Sequence, residues 1–382
     1  MKSQRSSGTL IFVGITALVG SIFYFLAGGK KEDIPIPGLS SMPGITARDT
    51  VPETADSTPS APPRGIEVYF SHTYANKPAI GENYAENIDR QLARFIARAT
   101  SALDCAFFEL ESQRVADALI AAHLRGVKVR VVGDSDYELN PEMQAVIHAG
   151  IPVVFDERSA LMHNKFLVAD NASVWTGSFN ATDNCAFRNN NNAVVIRDRK
   201  VADNYRTEFS EMFEDGEFGP RSTPGTPNSL VKVGGADIYT YFSPEDDVPP
   251  KIIRILRSAK KSIRFLAFSF TDAGIADVIL EQAGAGVDVE GIVERRGMGA
   301  KGAQTPRLQQ AGVRVLPDGN TYVMHHKVFI VDGMWTITGS YNFTASGAQS
   351  NDENLVIIKS EGVARRFTEE YERVRRMARE AG

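Results

Sequence analysis

Residues Met162–Thr182 read MHNKFLVADNASVWTGSFNAT, and residues Met324–Thr344 read MHHKVFIVDGMWTITGSYNFT. In the first stretch Lys165 and Asp170 follow His163 at spacings of two and seven, and Gly177, Ser178 and Asn180 follow at fourteen, fifteen and seventeen. His325, Lys327, Asp332, Gly339, Ser340 and Asn342 keep the same spacings in the second stretch. KFLVAD and KVFIVDG read as strands ending in a hairpin turn, with Asp332-Gly333 a strong turn pair. Residues two apart in a strand share a face. Each copy therefore presents its histidine and lysine side by side, with apolar residues packing behind.

The repetition extends outward from these stretches. ARFIARATSALDCAFFEL in the first half is answered by KIIRILRSAKKSIRFLAFSF in the second, an amphipathic helix running into an apolar strand. VADALIAAHLRGVKVRVVGD is answered by IADVILEQAGAGVDVEGIVE, a helix, a glycine break and a β-branched strand. Alternating helices and short strands predict an α/β fold, two duplicated α/β/α domains about a pseudo-two-fold axis. The boundaries read as domains at 66–215 and 236–382, joined by a loop-rich linker at 216–235. Residues 30–65, rich in Pro, Ser and Thr without apolar periodicity, read as a flexible tether.

Residues 1–29 form a separate element, because no charged residue occurs between Gly8 and Gly29. Such a stretch, at about 1.5 Å per residue, spans roughly 33 Å, enough for a bilayer core. An uncleaved single-pass anchor through residues 10–27 is the expectation, with a cleaved signal peptide as the alternative. The bulk of the protein is expected outside the cytoplasm, although Lys2 and Arg5 on one flank balance Lys30 and Lys31 on the other. The chain of 382 residues carries a net charge of −5, which advertises no polyanion-binding surface. Two cysteines, Cys105 and Cys185, supply neither a disulfide framework nor a zinc site.

The pattern HxKxxxxDxxxxxxGSxN, present twice, resembles that of the phospholipase D superfamily, and the similarity covers everything after the tether. The resemblance implies phosphodiester cleavage through a covalent phosphohistidine, with no cofactor. The residue chemistry agrees with it. One histidine can attack phosphorus, and the second can protonate the leaving alkoxide and later activate water. Lys165 and Lys327 can supply the positive charge that a metal supplies elsewhere. Ser178, Asn180, Ser340 and Asn342 are candidate phosphate-binding donors. One copy holds one histidine of the pair, so duplication is expected to make a single chain active as a monomer. Asp170 and Asp332, beside turns, read as structural or supporting residues.

A nucleophilic histidine needs an acceptor on its other ring nitrogen. Glu353 stands twenty-eight residues after His325, and Asn191 holds the equivalent place after His163. In single-motif bacterial nucleases that this chain resembles, a glutamate at this spacing looks like the histidine's partner. That spacing assigns Glu353 to His325 and makes His325 the expected nucleophile, with exchange of partners across the axis as the alternative. His72, His123, His148 and His326 read as structural, and Trp175 and Trp335 as core. The loop Glu294–Arg307 carries four basic residues and reads either as a phosphate grip or as a solvated loop, whereas its counterpart DSDYELNPE is acidic. The resemblance is nearest in character to the Nuc-type endonucleases and implies a nuclease. A phospholipase D or phospholipid transferase is the alternative, and an inactive phosphate-binding adaptor a third reading. No His, Asp and Glu cluster has metal-ligand spacing.

Overall fold

A computed structural model describes residues 61–71 and 87–381. The expected membrane anchor, nearly all of the expected tether and His72 lie outside the described residues. No described helix is long and apolar enough to cross a membrane.

Seven strands make the first sheet: β1 (Ile66–Phe70), β2 (Ala102–Phe107), β3 (Lys128–Gly133), β4 (Val153–Phe155), β5 (Lys165–Ala169), β6 (Ser173–Gly177) and β7 (Asn192–Ile196). Eight make the second: β8 (Val231–Val233), β9 (Ala236–Ser243), β10 (Ser262–Ala267), β11 (Asp288–Val293), β12 (Arg314–Pro317), β13 (Lys327–Val331), β14 (Trp335–Gly339) and β15 (Glu353–Lys359). The first sheet runs β1-β7-β6-β5-β2-β3-β4, and the second repeats that order as β9-β15-β14-β13-β10-β11-β12 with β8 added beside β9. β2, β3 and β4 pair in parallel, as helical crossovers require, and the rest of the sheet is antiparallel. The seven-strand order is therefore the same in both halves, and β8 is the one addition. The linker expected at 216–235 is not wholly irregular, because it contains β8, which pairs with β9.

Each sheet carries helices on one face in a core of its own. Leu92, Leu119, Val146 and Trp175 belong to the first of these cores, and Ile252, Ile279, Leu308 and Phe329 to the second. A third core is shared. Phe166, Tyr205 and Phe209 of the first half pack in one cluster with Phe242, Val328 and Phe367 of the second. Helices Arg199–Ser210 and Glu361–Ala381 supply much of it. Phe166 meets the ring of Phe242 at 6.3 Å, and Phe70 meets Phe367 at 5.2 Å. The strands carrying both motifs, β5 and β13, are buried at every residue, so neither motif strand faces solvent.

Candidate active site

Both motif strands open a hairpin, β5–β6 and β13–β14, whose turn is set by the motif aspartates. Asp170 (φ 55°) and Asp332 (φ 54°) adopt the left-handed conformation that Asp tolerates in turns. Their carboxylates fold back onto the chain entering the neighbouring strand. Asp170 accepts from the amides of Thr100, Ser101 and Ala102 at 2.7–3.1 Å, and Asp332 from those of Lys260, Lys261 and Ser262. Partial burial raises the Asp170 carboxyl, but these donors outweigh it and hold it at about 2. Both aspartates clamp their turn to the neighbouring strand.

The hairpins end at Gly177 and Gly339. A Cβ there would collide with the carbonyl oxygens of Asn192 and Asn354, and both glycines have positive φ. Close approach at these two points seats Ser178 against β7 and Ser340 against β15. The serines were expected to bind phosphate, and the structure corrects this. Both are fully buried. Ser178 Oγ donates to Asn191 Oδ1 at 3.0 Å and accepts from the Asn192 amide. Ser340 Oγ donates to Glu353 Oε2 at 2.6 Å and accepts from the Asn354 amide. Their role is to aim the two acceptors.

Those acceptors cross between halves. The residues before β15 pair with those before β5, since the His163 amide donates to Asp352 O at 2.9 Å and the Asp352 amide to Leu161 O at 2.9 Å. The symmetric crossing joins His325 N to Asn190 O at 3.0 Å and Asn190 N to Val323 O at 2.9 Å. Consequently His163 Nδ1 lies 2.7 Å from Glu353 Oε2, while His325 Nδ1 lies 2.9 Å from Asn191 Oδ1 and 3.1 Å from Ser178 O. The assignment of Glu353 to His325 by spacing is overturned: the carboxylate supports His163. Asn191 Nδ2 donates to Cys185 O, which fixes its oxygen toward His325.

The two histidines and two lysines share one site. Lys165 Nζ donates to His163 O at 2.7 Å and Lys327 Nζ to His325 O at 2.9 Å. Each ammonium lies over a phenylalanine face, Phe108 at 4.6 Å and Phe268 at 4.7 Å, and the same rings stand edge-on to His163 and His325. Burial is the main force pushing both imidazoles well below their ordinary range, and both ammonium groups add to it. Burial lowers Lys165 to about 8, and Lys327 falls well below its usual range through burial and the charge of Lys165. Burial raises Glu353 to about 7, against the pull of Lys165. Two lysine ammonium groups thus stand beside two imidazoles at one buried site, and Glu353 is the carboxyl that faces them.

Of the remaining candidates, Asn180 and Asn342 each keep an amide oxygen buried without a partner. His326 is a structural residue, with Nε2 at 2.9 Å from Glu370 and Nδ1 at 2.9 Å from Asn192. The basic loop is largely tied to protein. Arg295 donates to Asp318 O, Arg296 to Thr321 O, and Arg307 pairs with Asp277. Trp175 is buried in the first core, while Trp335 is half-buried under Lys359. Among the described residues no group of three His, Cys, Asp or Glu could hold a metal.

The family model "Cardiolipin synthase, PLD-like domain" matches residues 92–213 and 252–375, one segment per half. The chain belongs to the phospholipase D superfamily. Mitochondrial cardiolipin hydrolase of Xenopus tropicalis is 33% identical over 129 residues, 34% of this chain and 61% of that protein. The corresponding dog protein is matched over 49% of its length. Nuc of Salmonella typhimurium, a phospholipase D family member, is 30% identical over 37% of this chain and 95% of its own, with a TM-score of 0.36. Phosphatidylserine synthase of Haemophilus influenzae, 12% identical, covers 84% of this chain and 88% of its own at a TM-score of 0.56, a likeness of fold. As a superfamily member with both motifs in one chain, this protein assembles both histidine–lysine pairs within a single polypeptide.

Proposed function

We propose that this superfamily member is a phosphodiesterase working without a metal through a phosphohistidine on His163, and that its substrate is a nucleic-acid strand. The carrying observation is the 2.7 Å contact between His163 Nδ1 and Glu353. A carboxylate there keeps the ring proton on Nδ1, frees Nε2 to attack and stabilises the positive ring that a P–N bond creates. His325 rests on neutral acceptors, which suits a group that gives its proton away. In the first step His163 Nε2 bonds to phosphorus, the bond to the leaving oxygen breaks, and His325 protonates that oxygen. In the second, His325 takes a proton from water, the water oxygen bonds to phosphorus, and the P–N bond breaks to release a phosphomonoester. The bound phosphate offsets the two ammonium groups and lets His325 hold the proton it donates.

Support for nucleic acid comes from the rim. Tyr137 packs on Phe108, and the Arg188 guanidinium lies 5.4 Å from the Tyr322 ring, the aromatic and arginine parts that hold single strands. The exposed large hydrophobics among the described residues are Leu124, Leu139 and Leu230, on three separate segments rather than one apolar apron for lipid. A glycerophospholipid is the second reading, favoured by the similarity to cardiolipin hydrolases and by the uncharged stretch from Gly8 to Gly29. Action as a monomer, with attachment through residues 10–27 and the bulk outside the cytoplasm, belongs to the same proposal.

The test uses a labelled p-nitrophenyl phosphodiester, whose leaving group needs no acid. His325→Ala accumulates label on His163, and His163→Ala accumulates none. Label on His325 in His163→Ala would reverse the assignment. A parallel assay on single-stranded DNA, RNA and phosphatidylcholine or cardiolipin vesicles, all in EDTA, decides the substrate. Reversible loss of all activity in chelator would remove the role given to the lysines.

A further inference from the structure

The two halves match at the phosphate site but differ at its lips. After β2 the chain reads Phe108-Glu109, and after β10 it reads Phe268-Ser269. Both segments are held alike: the Phe108 amide donates to Asn164 O at 3.1 Å and the Phe268 amide to His326 O at 2.9 Å. Glu109 and Ser269 therefore occupy equivalent places, one residue beyond the ring that touches the histidine. Glu109 Oε2 accepts from Asn180 Nδ2 at 3.2 Å and faces the Lys165 charge. It is half-buried. Burial and the neighbouring Glu111 raise its carboxyl to about 7 against the pull of Lys165, so it carries its charge above that pH, where the esters below are compared. Beyond the lips the contrast continues. Tyr137, packed on Phe108, sits among Asp134, Asp136 and Glu138. The turn Arg295–Gly297, whose Gly297 approaches Phe268 O, carries Arg296, and Arg188 lies on Tyr322 beside it.

Asp134 is matched in the second half by Glu294, since each accepts from the methionine amide before its motif histidine, but Glu109 has only Ser269 opposite it, which makes the lips unequal. His163 attacks opposite the leaving oxygen, so the leaving alcohol departs on the His325 side, over the basic lip. The retained substituent, equatorial at phosphorus, is the one free to extend along the first-half lip, and we place it there. We infer that Glu109 is a specificity-determining residue, which selects phosphodiesters whose retained substituent is uncharged or cationic and able to donate a hydrogen bond, and rejects those carrying a second phosphate there. Like charges brought together in a partly desolvated lip repel strongly, whereas a hydroxyl or amine donor is welcome. A strand would then be cut near the end whose terminal, unphosphorylated nucleoside lies over Glu109. This inference rests on the phosphodiesterase reading.

Two esters isolate the effect: thymidine 5′-(p-nitrophenyl phosphate) and the same compound bearing a 3′-phosphate. Both release p-nitrophenolate, and they differ only in the retained substituent. The wild-type protein is expected to favour the unphosphorylated ester by about tenfold in kcat/KM, the size of a single like-charge contact at such a site. Glu109→Gln and Glu109→Ser, the latter copying the residue that the second half itself carries, are expected to bring that ratio below about twofold. Ser269→Glu, on the opposite lip, keeps the wild-type ratio. An unchanged ratio in both Glu109 variants, a wild-type preference for the 3′-phosphate, or a ratio that responds to Ser269→Glu overturns the inference. So does loss of turnover on both esters in both Glu109 variants, which would make the carboxyl part of the chemical step. Failure of the wild-type protein to cleave either ester would instead reject the phosphodiesterase reading.

Discussion

In the proposed mechanism Glu353 acts through His163, to which it is held at 2.7 Å, and its own titration should then be visible. Burial lifts its carboxyl to about 7, so the carboxylate that supports the phosphohistidine is lost as pH falls through that value. The acid limb of kcat is expected near pH 7, with kcat rising above it. Glu353→Gln should lower kcat by roughly a hundredfold and flatten that limb, since an amide cannot titrate. A Glu353→Gln enzyme that is slow but keeps the limb would place the titration on another group. Much of this was readable beforehand: both histidine–lysine pairs, both clamping aspartates and the position of Glu353 follow from spacing. Its partner did not. Spacing along one half cannot report a crossing in which Asp352 pairs with His163 and Asn190 with His325. The serines were misread for a related reason, since a hydroxyl that aims a neighbour and one that holds a ligand are written with the same letter.

At the scale of the element, each motif hairpin depends on a single carboxylate. Asp170 ties the β5–β6 turn to the start of β2 through three amides and the hydroxyls of Thr100 and Ser101. Asp170→Ala leaves those donors unpaired and removes a residue suited to positive φ. It should destabilise the fold by about 1–3 kcal/mol, measured by denaturant unfolding, with Asp332→Ala similar. Loss of activity without loss of stability would instead make these aspartates functional. The elements themselves were legible, because amphipathic helices followed by short β-branched strands repeat in both halves. β8 was not, being three residues in a stretch of Gly, Pro, Ser and Thr. Only its pairing with β9 makes it a strand.

Across the whole molecule, the shared core also encloses acid. Glu208 and Glu245 approach each other beneath Asn164, and burial raises both, Glu245 to about 8. The fold holds these groups neutral, while the unfolded chain ionises them in the ordinary carboxyl range. Folded stability is therefore lost as pH rises from that range through about 8. Relative to Glu245→Gln, the wild-type melting temperature should fall by about 2–4 °C between pH 6 and 8.5; a constant difference would show that the pair is already ionised. The crossing of acceptors has one more consequence. When a gene doubles, each copy is usually free to drift alone, and damage in one is masked by its twin. Here the amide at position 191 is felt by a ring 134 residues downstream. Neither copy can diverge privately, because the glutamate in one and the asparagine in the other each set the support of the opposite copy's ring.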